Sequence, residues 1–232
     1  MTNFNIQIIS DSICPWCYVG FRRLSRAIST HKLTNPLDTF TITWSPFYLN
    51  AASPAYPGVD KRAFYESKFG AARTGAIFER LAAVGEGEGI NFSFGGRTGR
   101  TRDSHRLIWL AGLKEKELRE KGTVPGGDVV GGLQTRVVEG LFRAYFEEEK
   151  NITERGVLLE AAVGAGLEKG EVEGLFDSDV GGKEVDSEAE GARRQFVTGV
   201  PYFTVQGQYA IEGADEPDTF LEVFGKIKGA EQ

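Results

Sequence analysis

The stretch Ser10-Asp11-Ser12-Ile13-Cys14-Pro15-Trp16-Cys17-Tyr18-Val19-Gly20-Phe21, residues 10–21, decides the fold. Before it, Phe4, Ile6 and Ile8 alternate with polar residues, the period of a short strand, and Ser10-Asp11-Ser12 follows as a turn. After it, Cys17, Phe21, Leu24 and Ile28 fall at i, i+4, i+7 and i+11, one apolar helical stripe, while Arg22, Arg23 and Arg26 face elsewhere. Pro15 then occupies the first helical position, where its missing N–H costs nothing, and Cys14 falls at the N-cap. Further on, Phe40, Ile42 and Trp44 alternate with threonines as a second strand. Strand, helix and strand at this spacing predict two parallel strands joined by a right-handed crossover.

The two cysteines are the only ones in the chain and have to be explained as a pair. A structural disulfide across so short a loop gains little closure entropy. A zinc site normally needs four ligands, and beyond this pair the chain offers only the scattered His31 and His105. No metal is therefore expected. Redox chemistry is the favoured reading. Free N–H groups and the positive end of the helix dipole favour the thiolate of Cys14, whereas Cys17, one turn in and on the apolar stripe, is expected to be the resolving thiol.

The chain has 232 residues, 41% hydrophobic and 11% aromatic, with a formal net charge of −6. That is ordinary globular material, and the acidic balance gives no general pull toward nucleic acid or an anionic membrane. No apolar run of about 18 residues appears, as a membrane span requires, and the opening residues lack a basic segment followed by an apolar one. The expectation is a cytoplasmic protein.

Prolines at 46, 54 and 57 impose an irregular connection, after which the pattern turns helical. Phe64, Lys68 and Phe69 begin this region. Leu133, Val137, Leu141 and Tyr145 share one stripe, and Thr153 is read as the cap of a helix carrying Val157 and Leu158. Val185, Ala189, Ala192 and Phe196 repeat the helical stripe. The glycine-rich stretches Gly85 to Gly99 and Gly122 to Gly132 read as loops; the first, with Arg97, Arg100 and Arg102, superficially suggests a phosphate cradle but lacks the preceding strand. Tyr202 to Val205 and Tyr209 to Ile211 read as a hairpin through Gln206-Gly207-Gln208, and a final helix buries Phe220, Leu221, Phe224 and Ile227 after Asp215 and Pro217.

Without its helical middle the order is strand, helix, strand, then strand, strand, helix. The fold class is thus α/β, a thioredoxin-like fold with a large inserted all-helical domain: residues 1–56 and 198–232 form the thioredoxin-like part and 57–197 the insertion. Pro201, directly before the third strand, suits a strand's first residue, and a cis Val200–Pro201 bond is expected there. Pro201 is expected to face the Cys14 sulfur, with Val200 offering its backbone to a substrate strand. Trp16 is a candidate stacking or shielding surface. For Asp11, electrostatic support of the helix start is the simpler role beside proton transfer to Cys17. For His105, a structural role is the simpler reading.

These residues resemble the DsbA-like branch of the thioredoxin superfamily, most closely its FrnE-like subgroup, which includes relatives named as 2-hydroxychromene-2-carboxylate isomerases. The resemblance runs through Cys14 to Gly20, Ser104-His105-Arg106-Leu107, Leu141 to Phe146, Gly199-Val200-Pro201-Tyr202-Phe203 and Gly213-Ala214. It implies dithiol–disulfide exchange by Cys14 and Cys17 on protein or small-molecule disulfides. No cofactor is implied beyond the Cys14–Cys17 disulfide itself, with glutathione as a candidate co-substrate. The alternative it implies is a glutathione-dependent isomerase or transferase of small aromatic or polyketide-like substrates, in which serine commonly stands where this chain has Cys14. Two departures stand out. Trp16 replaces the histidine that precedes the second cysteine in DsbA, which predicts a less oxidising site, and Arg100 stands where the family has asparagine.

Overall fold

A computed structural model describes residues 1–122 and 131–230. The predicted loop Gly122 to Gly132 lies mostly outside the described residues. The chain opens with β1 (Asn3–Ser10), α1 (Pro15–Thr34) and β2 (Thr39–Pro46). The middle consists of β3 (Val59–Asp60), α2 (Lys61–Phe69), α3 (Ala71–Glu88), β4 (Arg97–Thr98), α4 (Arg102–Glu120), α5 (Leu133–Phe146), α6 (Arg155–Ala165), α7 (Lys169–Phe176) and α8 (Gly182–Arg194). It closes with β5 (Tyr202–Val205), β6 (Tyr209–Glu212) and α9 (Pro217–Ala230). The main sheet has the order β2-β1-β5-β6, with β1 parallel to β2 and antiparallel to β5. This is the thioredoxin-like α/β fold with a helical insertion. The insertion also carries one minimal antiparallel ladder, Val59 to Thr98 and Asp60 to Arg97.

Helix α1 is buried on two sides, which explains why more of it is apolar than a single stripe requires. Gly20 meets the β5 side, while Tyr18 stacks on Phe142 and Phe146 of α5. One continuous core therefore joins the sheet to the insertion, including Ile8, Leu24, Trp44, Leu107, Leu141 and Phe142. Each such side chain contributes about 1.5–3 kcal/mol by leaving water. At the far end of the sheet, the buried Asp38 ties three elements together. It accepts hydrogen bonds from Thr2 N–H, His31 Nε2 and Lys228 Nζ.

The outer edge of β2 is capped at Trp44 by a side chain. Gln134 of α5 accepts from the Trp44 N–H through Oε1 at 2.9 Å and donates to the Trp44 carbonyl through Nε2 at 3.2 Å. These are the two bonds that a neighbouring strand would make at that residue.

Three expectations are corrected. Gly85 and Gly87 lie inside α3, so the loop starts only at Gly89. A Cβ on Gly85 would lie 2.5 Å from the Phe92 ring, so this glycine admits the returning loop at close quarters instead of breaking the helix. Thr153 does not cap α6, whose N-cap is Glu154; Thr153 donates instead to Asn151 Oδ1. Phe196 is not on the buried stripe of α8 but 89% exposed, at φ 63°. It takes the left-handed position of a Schellman turn, in which the Val197 N–H bonds Ala192 O and the Phe196 N–H bonds Arg193 O. Val197 packs with Ala192 in its place.

Candidate active site

The site is the turn that carries β1 into α1. The Cys14 N–H donates to Asp11 O at 2.9 Å, closing the turn, and Cys14 is the N-cap of α1 with Pro15 behind it. No side chain caps this helix and no acidic residue sits in its first turn, so its positive end faces the Cys14 sulfur without a competing anion from its own first turn. Cys14 is 4% exposed and Cys17 0%, and both are free thiols.

The structure brings the distant proline segment to this turn. Val200–Pro201 is cis, and the Cys14 thiol donates to the Val200 carbonyl at 3.4 Å. The Pro201 ring is set by α1: a Cβ on Gly20 would lie 3.0 Å from Pro201 Cγ and 3.0 Å from the Phe203 ring. Gly213 N–H donates to Pro201 O, and Arg23 donates to Ala214 O, which holds the loop after β6 against the same helix. Trp16 is half-buried beside the core, with the Arg80 guanidinium 5.4 Å above its ring.

The two sulfurs differ in surroundings. Burial pushes the Cys17 thiol well above its ordinary value, and the hydrogen bond and charge of Cys14 push the same way; the Ser10 hydroxyl and the Asp11 N–H oppose them. Cys17 thus stays protonated until something accepts its proton.

The remaining sequence motifs build the walls. Ser104 donates to Thr101 O, so its bond with Ser12 at 2.6 Å has Ser12 as donor, and this pins the turn to α4. Arg106 is buried and spends its guanidinium on the carbonyls of Leu175, Ser178 and Val180 and on Asp103, which closes the C-terminal end of α7. His105 sits against Phe47 O and Asp11. Arg100 lines a different surface cleft with Arg102 and Arg155.

Sequence reasoning missed Lys61 and Tyr65, which line one crevice with Pro15. Lys61 is 3% exposed, donates to Tyr145 O at 2.7 Å and lies 3.9 Å over the Tyr145 ring; burial lowers its ammonium to about 8, against the charge of Glu149. Burial likewise raises Tyr65 to about 12, with a further contribution from the charge of Cys14. A lysine at the start of an otherwise amphipathic helix carries no sequence signal of burial. Among the described residues no cluster of three or more metal-ligating side chains occurs, and no helix is long and apolar enough to cross a membrane.

Comparison with known proteins shows the family of this fold. A family model described as a DSBA-like thioredoxin domain matches residues 5–225. The chain is similar to the structure of a probable DsbA oxidoreductase from Streptomyces coelicolor, at 25% identity and TM-score 0.78, covering 97% of this chain and 90% of that one. Two more distant likenesses show the fold alone. One is 2-hydroxychromene-2-carboxylate isomerase, at 14% identity and TM-score 0.66, covering 98% of each chain. The other is the cytosolic disulfide reductase DsbM from Pseudomonas aeruginosa with GSH, at 14% identity and TM-score 0.59, covering 96% of this chain and 98% of that one. No curated protein matches the chain.

Proposed function

Because the chain belongs to the DSBA-like thioredoxin domain family, we propose that it exchanges disulfides through Cys14 and Cys17, acting on protein or low-molecular-weight disulfides in the cytoplasm. The observation that carries this reading is the placement of Cys14, at an uncapped helix start with its thiol on the Val200 carbonyl, while Cys17 lies fully buried one turn behind. Cys14 attacks a substrate disulfide and forms a mixed disulfide. Cys17 then attacks Cys14, releasing the second substrate thiol and leaving the Cys14–Cys17 disulfide.

Val200 and Pro201 form the wall along which the substrate chain lies. Loss of the Cys14 proton removes the donor that the Val200 carbonyl now accepts from, so that carbonyl becomes free for a substrate N–H. Trp16 offers a ring surface at the mouth of the site. Glutathione is proposed as a co-substrate that reduces or forms the enzyme disulfide.

Cys17→Ser should arrest the reaction at the mixed disulfide. Mass spectrometry of the arrested protein should then show glutathione or a client polypeptide attached to Cys14. Retained turnover in Cys14→Ser would refute the reading and turn it toward glutathione-dependent isomerisation, in which Cys14 is not the nucleophile.

A further inference from the structure

Helix α3 runs beside the cysteine turn. Its Phe78 and Leu81 line a crevice with Pro15, and its Arg80 holds the guanidinium carbon 5.4 Å from the centre of the Trp16 ring. Pro15 and Trp16 are the two residues between the cysteines, so α3 flanks the turn that carries the Cys14 sulfur. Successive helical residues rotate by about 100°, which puts Ile77, Arg80, Leu81 and Val84 on one stripe and Glu79 on the opposite side of the helix. Leu81 is buried and Val84 packs against the core, so the stripe that carries Arg80 is the one turned inward.

The charge of Arg80 is unspent. Its guanidinium is exposed, and among the described residues no carboxylate pairs with it and no group accepts a hydrogen bond from it. The arginines of α1 differ: Arg22 pairs with Glu139, Arg23 with Glu88 and Glu216, and Arg26 with Glu88. No acidic residue occupies the first turn of α1 either. A guanidinium over an indole is oriented by the ring, while the N–H donors along its edge stay open to a partner.

We propose that Arg80, carried on Trp16, selects acidic substrates by receiving a carboxylate of a low-molecular-weight disulfide while Cys14 attacks its sulfur. The inference rests on Cys14 being the attacking thiol. A thiolate approaching a disulfide that bears carboxylates meets like charge, and the net charge of −6 on the chain adds to the repulsion. A cation beside the turn offsets both, and its paired N–H donors match the two oxygens of a carboxylate. In the step the Cys14 thiolate bonds the nearer substrate sulfur. The substrate S–S bond breaks, and its electron pair leaves on the farther sulfur as a thiolate. Arg80 gives up no proton; it decides which disulfide is accepted.

Two other cations show what sets Arg80 apart. Lys61 shares the Pro15 crevice but is buried and donates to Tyr145 O, so it is turned from solvent. Arg73 of α3 is exposed, lies 5.9 Å over the Phe69 ring and likewise has no carboxylate partner among the described residues. It sits two turns before Arg80, about 10 Å back along the helix, and rests on a ring that is not part of the cysteine turn. Arg73 thus matches Arg80 in charge, exposure and setting on an aromatic ring, and differs in place.

The test uses three small disulfides that differ in charge: 2,2′-dithiodiacetate is negative, 2-hydroxyethyl disulfide neutral and cystamine positive. Each is mixed with the reduced protein, and the rate constant is read from acid-quenched samples by mass spectrometry of the remaining dithiol. Dividing by the rate constant of the parent cancels the intrinsic reactivity of each disulfide. In Arg80→Gln the quotient for dithiodiacetate should fall about fivefold below that for hydroxyethyl disulfide, the loss of one charge-assisted contact at an exposed site, and the quotient for cystamine should rise above it. Arg73→Gln removes the same charge and should leave the three quotients equal. Equal quotients in Arg80→Gln, or the same separation in Arg73→Gln, overturn the proposal. So does an effect seen only with a disulfide-linked peptide carrying Glu beside its Cys, which would make the ligand a polypeptide. Should Arg80→Gln fail to fold, the parent alone decides: raising salt from about 0.05 to about 0.5 M should slow dithiodiacetate relative to hydroxyethyl disulfide, and a relative acceleration would show net repulsion and sink the idea. A parent protein that consumes none of the three disulfides refutes the attacking role of Cys14 itself, which is a different failure.

Discussion

Replacing Gly20 with alanine tests whether the cysteine helix and the proline wall are built as one unit. In an exposed helix interior this change stabilises by about 0.5–1 kcal/mol. Here the added methyl lies 3.0 Å from Pro201 Cγ, 3.0 Å from Phe203 Cζ and 3.4 Å from Ala214 Cα. Carbon atoms settle at about 3.5–4.0 Å, so the two closest neighbours must retreat by roughly 0.5–1 Å. Overpacking of this kind costs about 1–3 kcal/mol, which exceeds the helix gain and leaves a net loss of about 1 kcal/mol, or a fall of about 2–4 °C in Tm. Pro201 cannot move without shifting the Val200 carbonyl that accepts the Cys14 thiol. The alkylation rate of Cys14 by iodoacetamide should therefore change along with the melting temperature. Gly75 of α3 is the matched control, because a Cβ there meets nothing within 4 Å, and Gly75→Ala should stabilise. If Gly20→Ala stabilises as much as Gly75→Ala and leaves Cys14 alkylation unchanged, the close contact between α1 and the Pro201 wall does not exist.

Two further outcomes follow from the packing. Burial alone would raise the Asp38 carboxyl, but the Lys228 ammonium, the Thr2 N–H and His31 outweigh it and hold the group well below the usual carboxylate range. A depressed pKa means that the unfolded chain binds this proton more readily. The stabilisation is thus complete at neutral pH and fades as pH falls below about 4, the unfolded value. Asp38→Asn should cost about 2–3 kcal/mol at pH 7, under the ~3–5 of a fully buried pair because the Lys228 side chain is 26% exposed, and the gap to the parent in urea midpoint should narrow in acid. Phe196→Gly removes a side chain that is 89% exposed and held at φ 63°, so it should stabilise by about 0.5–1 kcal/mol in urea unfolding; a destabilised variant would show that the ring makes contacts the fold depends on.

What the sequence disclosed and what it hid divide along the range of the interactions. Cys14, Pro15 and Cys17 could be placed at a helix start because capping and proline geometry are local, and the alternations at Phe4 to Ile8 and Phe40 to Trp44 mark strands by their own period. The cis Val200–Pro201 bond was expected for the same reason. Phe196 was misread because the helical period continues through it while the Schellman turn at Gln195 to Val197 ends the helix first. Gly85 was misread because its role is set by Phe92 across the turn. Lys61, the Asp38 cluster and the pairing of Asp11 with His105 depend on partners far away in sequence, and no periodicity reports them.

The Gln134 amide on Trp44 has a consequence for a molecule proposed to handle other polypeptides. Chains caught with wrong or missing disulfides expose unpaired strands, and an open sheet edge would recruit them as templates for co-aggregation. Gln134 occupies the β2 edge at Trp44 with a side chain that cannot propagate a ladder, and the opposite edge strand among the described residues, β6, is only four residues long. Sheet extension by a client is thus obstructed at Trp44 and limited to a short strand at β6, whereas the attachment proposed at Cys14 is covalent and reversible.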